Sequence, residues 1–523
     1  MENKCRKSKN KILEMEVNIL KDKKQRYILT LKLETELYEE DILNKRFEIG
    51  RQLYNSVLGK SFKRYQEMIK TKKWRENQMN ISNVYNLEKD KNKAKKLSKE
   101  YFEVKKNMLK EFNISEYSLH ADIKNMQKHF KENIDSFTAQ KIASNVWRAY
   151  DKLLYGNGSA VHFKKFNEGL NSLEGKSNKT GIVYKIESNT LRWNGLNIKV
   201  QSKFNDYEIS ALRDEVKYCR IVRKFIRGKY KYLLQLILDG IPPIKINKET
   251  GEVKNDISVG DIGIDIGTQT VAYVSNYNCK LYELAPNVQN IENQKRKLLR
   301  YMNRSRRNTN PNNYNSDGTI KRGIKLEWNY SNKYIKAKNC LKDLYRKQAD
   351  IRKQDHNIMA NEIINQGDTI KVEIMNFKGL QARSKNTTIN DKTGKFNKKK
   401  RFGKSLANKA PSMFLTILKN KIESKGGLYV EVNTYKVKAS QYNHLNGEYN
   451  KKKLSQRWNY FNYNNERIKV QRDLYSAYLI KNVDGLEVIN RNKCIDGFEN
   501  FLEYHNNEVL RLQGLKNLSS IGI

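Results

Sequence analysis

The chain has 523 residues, enough for two to four domains around substantial cores. Its 102 Lys and Arg against 57 Asp and Glu give a formal charge of +45, with 31 Tyr and 17 Phe beside them. That excess goes beyond what solubility requires and draws a polyanion, so nucleic acid is the expected partner; the most apolar stretch, Tyr230 to Asp239, is too short and interrupted to span a bilayer.

In chain order, residues 1–25 read as a basic tail and Tyr27 to Thr35 as an alternating strand. From about 40 to 150 the pattern becomes helical and highly charged, with Ile42, Phe47, Ile49, Leu53, Tyr54 and Val57 on one apolar stripe and no proline throughout. Residues 155–250 change character. Glycines punctuate short strands such as Thr180 to Ile186, Leu196 to Gln201 and Tyr230 to Leu238, which predicts a twisted β-barrel or half-barrel. The strand at 27–35 would be its first, making the helical block an insertion. Ile241-Pro-Pro-Ile244 and the polar stretch to Asp256 form the best linker. Beyond 258, strands and helices alternate, predicting an α/β sheet. The elements are a hairpin over 262–283, a basic helix from Asn293 to Arg307, a polar loop, and a long helix from about 326 to 366. A strand around Glu373 and a basic loop (383–404) follow. A helix opened by Pro411 and closed by Gly426-Gly427 leads to the strand Leu428 to Val432.

The five cysteines are scattered and never form a Cys-x-x-Cys pair, which argues against a disulfide framework or a zinc finger and fits a reducing compartment. No apolar run follows Met1, so no secretory signal is expected, and the expected location is the cytoplasm beside the nucleoid. The six histidines show no ligand spacing.

Three acids stand in separate settings. Asp265 lies in Gly260-Asp-Ile-Gly-Ile-Asp-Ile-Gly267, where Gly263, Asp265 and Gly267 share the face opposite the isoleucines. A face so cleared lets metal ions and a phosphodiester approach the backbone; alternatively, this is a hairpin with an incidental acid. Glu373 lies in Ile370-Lys-Val-Glu-Ile-Met375, or else forms a Lys371–Glu373 surface pair on an edge strand. Asp473 opens a helix, where an acid also suits the N-terminal dipole. A carboxylate in an apolar strand is costly unless it is paired or binds a cation. Three of them folded together would hold two divalent cations against a phosphodiester, and oxygen ligands favour Mg²⁺, with Mn²⁺ as a substitute.

The order and context of these motifs resemble the RuvC-type, RNase H-like nuclease of transposon-encoded TnpB proteins and of miniature type V CRISPR effectors. Gly263-Ile-Asp-Ile-Gly267 is similar to the first motif of that family, Glu373-Ile-Met-Asn-Phe-Lys-Gly-Leu380 to the second and Arg472-Asp-Leu-Tyr-Ser-Ala477 to the third. The resemblance implies a wedge-type barrel (1–35 and 151–255) interrupted by a helical recognition lobe (36–150). It also implies a RuvC-like nuclease domain (256–435 and 469–523), with a zinc-ribbon-like insertion at 436–468. That insertion departs from the family. Ser440 to Tyr449 and Leu454 to Trp458 contain no cysteine, so no structural zinc is expected, and His444 reads as a loop histidine. The segment is expected to be packed by Tyr442, Trp458, Tyr460 and Phe461, and Tyr475 stands where the family has Asn.

The resemblance further implies a guide RNA, a target double-stranded DNA with a short adjacent motif, Asp265 bridging two cations, and Glu373 and Asp473 completing one each. The basic segments Lys295, Arg296, Lys297 and Arg300, then Arg304, Arg306 and Arg307, then Lys398, Lys399, Lys400 and Arg401 either track phosphates or are solvated helix surface. The function implied is RNA-guided DNA cleavage. The alternatives are a nuclease-weak RNA-guided regulator of the same fold and a transposase; the order Asp-Glu-Asp disfavours strand transfer.

Overall fold

The computed structural model describes residues 25–514, except for 89, 157, 167, 168, 289, 384, 385, 391, 392, 395, 398–401, 454 and 455. The expected N-terminal tail and the basic run Lys398 to Arg401 therefore lie outside the described residues. Residues 1–243 and 244–523 form two compact units, dividing inside the expected linker. Among the described residues no helix is long and apolar enough to cross a membrane.

In the first unit, β1 (Arg26–Glu34) alternates exposed and buried side chains along its whole length. Five helices follow: α1 (Leu37–Lys70), α2 (Lys72–Leu87), α3 (Lys91–Glu111), α4 (Glu116–Lys128) and α5 (Ser136–Leu154). The chain then returns through β2 (Ser172–Glu174), β3 (Val183–Lys185), β4 (Thr190–Trp193), β5 (Leu196–Val200), the short α6 (Asp206–Ala211), β6 (Val216–Ile226) and β7 (Lys229–Asp239). The strand order is β2-β6-β7-β1-β5-β4-β3, all antiparallel. β1 pairs with β7 from Arg26 to Lys32 and with β5 at Leu33 and Glu34, so one strand joins both halves of a half-barrel. The helices between β1 and β2 share its core: Leu31, Leu234 and Ile198 of the sheet pack with Phe47, Val57, Ile142 and Val146. Polar groups lock this packing. Asp135 caps α5 through the Thr138 N–H (2.9 Å) and accepts the Trp193 indole N–H from β4 (2.9 Å). Such a cap contributes about 1 kcal/mol.

The second unit opens with a meander, β8 (Asp261–Ile266), β9 (Thr270–Val274) and β10 (Cys279–Glu283). It continues through α7 (Glu292–Thr309), α8 (Asn332–Ile364), β11 (Thr369–Glu373), α9 (Phe377–Gln381), α10 (Gly403–Lys409), α11 (Pro411–Ser424) and β12 (Leu428–Val432). The five-stranded order is β10-β9-β8-β11-β12, antiparallel up to β8 and parallel from β8 to β12. β11 is therefore a central strand, not the edge that a Lys–Glu surface pair would need. Ile262, Ile264 and Ile266 pack against Met359, Ile363, Phe414 and Leu418 of α8 and α11 on one face.

The rest of the chain covers the other face. It comprises α12 (Thr434–Val437), the hairpins β13 (Tyr442–Asn443)/β14 (Glu448–Tyr449) and β15 (Trp458–Tyr463)/β16 (Glu466–Gln471), and α13 (Arg472–Lys481). The pair β17 (Val483–Asp484)/β18 (Val488–Ile489), α14 (Arg491–Asp496) and α15 (Phe498–Gln513) complete it. Ala272 and Val274 of the sheet join Leu474, Ala477, Phe498 and Phe501 in that second core.

Candidate nuclease site and nucleic-acid interface

The sheet register brings two of the acids together. Val372 of β11 lies beside Ile264 of β8. One step further along the same parallel register, Glu373 neighbours Asp265 on the same face, since adjacent strands run about 4.8 Å apart. Asp265 also pairs with Ala272, and Glu373 with Val432, whose side chains belong to the core under α13.

The third acid arrives by helix packing, and Gly263 is the reason it can. A Cβ on Gly263 would stand 2.1 Å from the Ala477 carbonyl oxygen and 2.3 Å from the Lys481 nitrogen. The face expected to stay open for substrate is thus covered at Gly263 by the backbone of α13. The glycine lets that helix lie directly on β8, and Asp473 sits one turn before Ala477, at the Asp265 end. The far end is fixed by Lys371, 9% exposed, whose ammonium donates to Asp261 Oδ2 (2.8 Å) and to the carbonyls of Lys481 and Val483 (both 2.9 Å). Lys371 pairs with Asp261 and the end of α13 rather than with Glu373; a cation at a helix C-terminus is favourably placed.

The electrostatics agree with convergence. The Asp265 carboxyl is held well above the ordinary range, first by burial, then by the charges of Asp473 and Glu373, with Arg472 opposing. Its side chain keeps a partly exposed edge while being ringed by protein. Burial also pushes the Glu373 carboxyl up, against a hydrogen bond from the Ala439 backbone. Asp473 differs. Its Oδ1 accepts from Arg472 Nε (3.0 Å) and Nη2 (2.9 Å), and Arg457 stands 3.7 Å from Oδ2. Neither arginine was singled out by sequence as a partner of Asp473; the adjacency of 472 and 473 was the available signal.

Gln471 caps α13, its Oε1 accepting from the N–H groups of Asp473 (2.6 Å) and Leu474 (2.8 Å). The Gln471 N–H donates to His505 Nε2 (2.9 Å). These contacts fix the Asp473 backbone.

Drawn together, the three carboxylates from two strands and a helix would make an oxygen-only, strongly anionic donor set, which suits a hard divalent cation. Burial first, and then the charges of Asp473 and Glu373, raise the Asp265 carboxyl, and a bound cation would offset those charges. The donor chemistry fits, but tight clustering is not present: among the described residues no three His, Cys, Asp or Glu side chains are close enough together to hold a metal ion.

The cysteine-free segment folds around His444. This residue is fully buried, meets Phe498 edge-to-face (ring centroids 4.5 Å apart) and shares a 2.6 Å hydrogen bond between Nδ1 and the Tyr475 hydroxyl. Burial and Arg491 push its pKa down to about 4, so it is a neutral core group. Tyr475 is the side chain that reaches it. Tyr442 and Phe461 are buried with it, whereas Tyr460 is 54% exposed and Trp458 lies under Lys469, 4.0 Å from its ring.

The basic residues of α7 divide by face. Lys297, Arg300, Arg304 and Arg307 line an open groove of ≈ 470 Å³ with Asn303, at the three-to-four-residue spacing of one helix face. Arg296 is also exposed. Lys295 is instead paired with Glu292 (3.3 Å), and Arg306 donates to the Tyr314 hydroxyl (3.0 Å) and stacks on Trp328 (5.1 Å). These two serve the packing of α7.

No protein-family model matches the chain, and no curated protein does. Among solved structures, the chain is similar to a Cas12f1–sgRNA–target DNA complex, at 12% identity and a TM-score of 0.39, over 87% of this chain and 97% of that one. It is also similar to a CRISPR-Cas12f ternary complex, at 12% identity and a TM-score of 0.22, over 86% and 83%.

Proposed function

We propose that this protein is an RNA-guided DNA endonuclease whose cutting centre comprises Asp265, Glu373 and Asp473. The observation that supports the reading is the β8–β11 register, which sets Glu373 one step beyond the Ile264–Val372 pair and so beside Asp265, with α13 seated on Gly263 and opening at Asp473. A mixed sheet with acids at the ends of its two central parallel strands is what the RNase H-like reading requires. RNA guidance rests on the motif resemblance and on the +45 charge.

Asp265, Glu373 and Asp473 are the residues that would hold the divalent cations, two Mg²⁺ ions by the donor chemistry. When bound, the pair would supply an activated water and charge stabilisation for the departing 3′-oxygen. The chain's own residues do the rest. Gly263 seats α13 on β8, Gln471 and Lys371 fix its two ends, and the exposed face of α7 takes phosphates. Arg472 and Arg457 hold Asp473 by its charge and stand beside the place a scissile phosphate would occupy.

The experiment is plasmid cleavage by the full chain with its co-purified RNA, with and without RNase. Asp265→Ala should lose Mg²⁺-dependent cutting, by on the order of 10³-fold or more, while keeping RNA and DNA binding. RNase treatment should abolish targeted cutting. Retained Mg²⁺-dependent cutting by Asp265→Ala would overturn the assignment. A second reading, a nuclease-weak regulator of the same fold, is favoured by one observation: Asp473 is ion-paired to two arginines. It predicts binding without cutting in the wild type.

A further inference from the structure

A second concavity opens at the carboxyl ends of β11 and β12, on the side of α11. It is a cavity of ≈ 230 Å³, and Glu373 forms part of its wall. The carboxyl ends of parallel strands are where α/β sheets receive ligands, so this slot and the acids occupy the same end of the sheet. Its other walls are mixed in a particular way. Phe377 and Tyr429 supply aromatic surface, Thr416 projects from the exposed side of α11, and Glu431 at the rim adds a carboxylate. Lys419 is the one cation in the lining, 5.3 Å from the Tyr429 ring.

The lining tells against several occupants. The Glu431 carboxylate offsets the one ammonium in the lining, which makes a poor receptor for a phosphate group. The volume is below the roughly 300–1,000 Å³ typical of drug-sized ligands. A flat neutral heterocycle fits both facts: base stacking on an aromatic side chain contributes about 1–3 kcal/mol, and a carboxylate accepts from an exocyclic amine, as Glu and Asp do from cytosine N4.

We propose that this slot binds one nucleobase of the strand being cut, with preference for an amino-bearing base, and so sets which phosphodiester is presented to Asp265, Glu373 and Asp473. The inference rests on the nuclease reading above. It adds a base-reading subsite to a centre that otherwise sees only phosphate. The base stacks on Tyr429 and Phe377, its exocyclic amine faces Glu431, and its own 5′ or 3′ phosphate stays outside.

The test uses the full chain with its co-purified RNA, in the Asp265→Ala background so that the strand persists. Single-stranded thymine oligonucleotides, each with one 5-iodocytosine at a different position, are irradiated and the crosslinked peptides identified. The expected result is crosslinking to Tyr429 or Phe377 from one position. Adding Thr416→Trp, which fills the slot from the exposed side of α11, should reduce the yield at least about fivefold with an unchanged melting temperature. Crosslinks confined to other peptides, or a yield indifferent to Thr416→Trp, would overturn the slot. Cutting of the same strands by the wild type is scored in parallel. Slot crosslinks without Mg²⁺-dependent cutting would overturn the nuclease reading alone, and cutting without slot crosslinks would overturn the slot alone.

Discussion

Buried charge is handled in opposite ways in the two units. In the first, Glu174 is 6% exposed and is met by Arg220 at 2.8 Å and Lys141 at 3.4 Å. Arg46, 3% exposed, donates to the carbonyls of Trp193 (2.7 Å) and Asn194 (2.5 Å) and lies 4.5 Å from the Trp193 ring. Each of these charges has polar partners that offset part of its desolvation, although burial still draws the Arg46 guanidinium down to about 10. At the carboxyl end of β8 in the second unit, Asp265 has no cation at ion-pair distance among the described residues, and the largest charged influences on it are two further acids, which outweigh Arg472. A charge with partners holds a fold together. A charge set among like charges is a standing cost, and the physical reason to keep it is a ligand that reverses the cost.

Four substitutions sharpen this contrast, beginning with the largest effect. Gly263→Ala places a methyl group against the Ala477 carbonyl. It should displace α13, lower stability by at least about 1–3 kcal/mol and reduce cutting to background, as read by thermal melting and plasmid nicking. An unchanged melting temperature would show that α13 does not rest on β8. Next, His444 is buried neutral with its pKa pushed down to about 4. Its contribution is full above the unfolded value near 6.5 and is lost as pH falls from about 6.5 towards 4, where the unfolded chain binds the extra proton. That window is worth about 3 kcal/mol, so denaturant titrations of His444→Gln should show a flatter acid limb than the wild type.

The next pair makes the same chemical change in the two regions. Glu174→Gln strips the partner from Arg220 and Lys141 and should cost about 1–3 kcal/mol. Asp265→Asn removes a charge that burial and two acids oppose, and should raise the melting temperature in chelator. The sign follows from the raised carboxyl: the folded state binds the proton more tightly, so the wild type loses stability as pH rises above the ordinary carboxylate range. The gain should shrink as pH falls into that range. Losses of equal size for both variants would remove the distinction between the two regions.

The sequence carries the elements of the site better than their assembly. Strand alternation around Asp265 and Glu373, and the apolar face of α13, are local patterns, and they are observed as β8, β11 and α13. The role of Gly263 is not local. A cleared strand face says that something approaches, and only packing reveals that the visitor is the backbone of α13. Lys371 is two residues from Glu373 in sequence, yet its partners, Asp261 and the end of α13, are more than a hundred residues away. In α7 the basic residues look alike in sequence. Tyr314 and Trp328, on a loop with no regular period, separate Arg306 from the exposed stripe. In the first unit the long strand β6 is hard to read because a basic residue, Arg223, is buried on the same face as Cys219 and Ile221.

The central claim is that the three acids share divalent cations, and it can be measured without any cleavage. Electron paramagnetic resonance of the full chain with its bound RNA and a DNA strand, titrated with Mn²⁺, counts the bound ions and reports whether two are close enough to couple. The account predicts a coupled pair in the wild type, abolished by Asp265→Ala with nucleic-acid binding intact. An uncoupled signal in the wild type, or a coupled pair that survives Asp265→Ala, would contradict it.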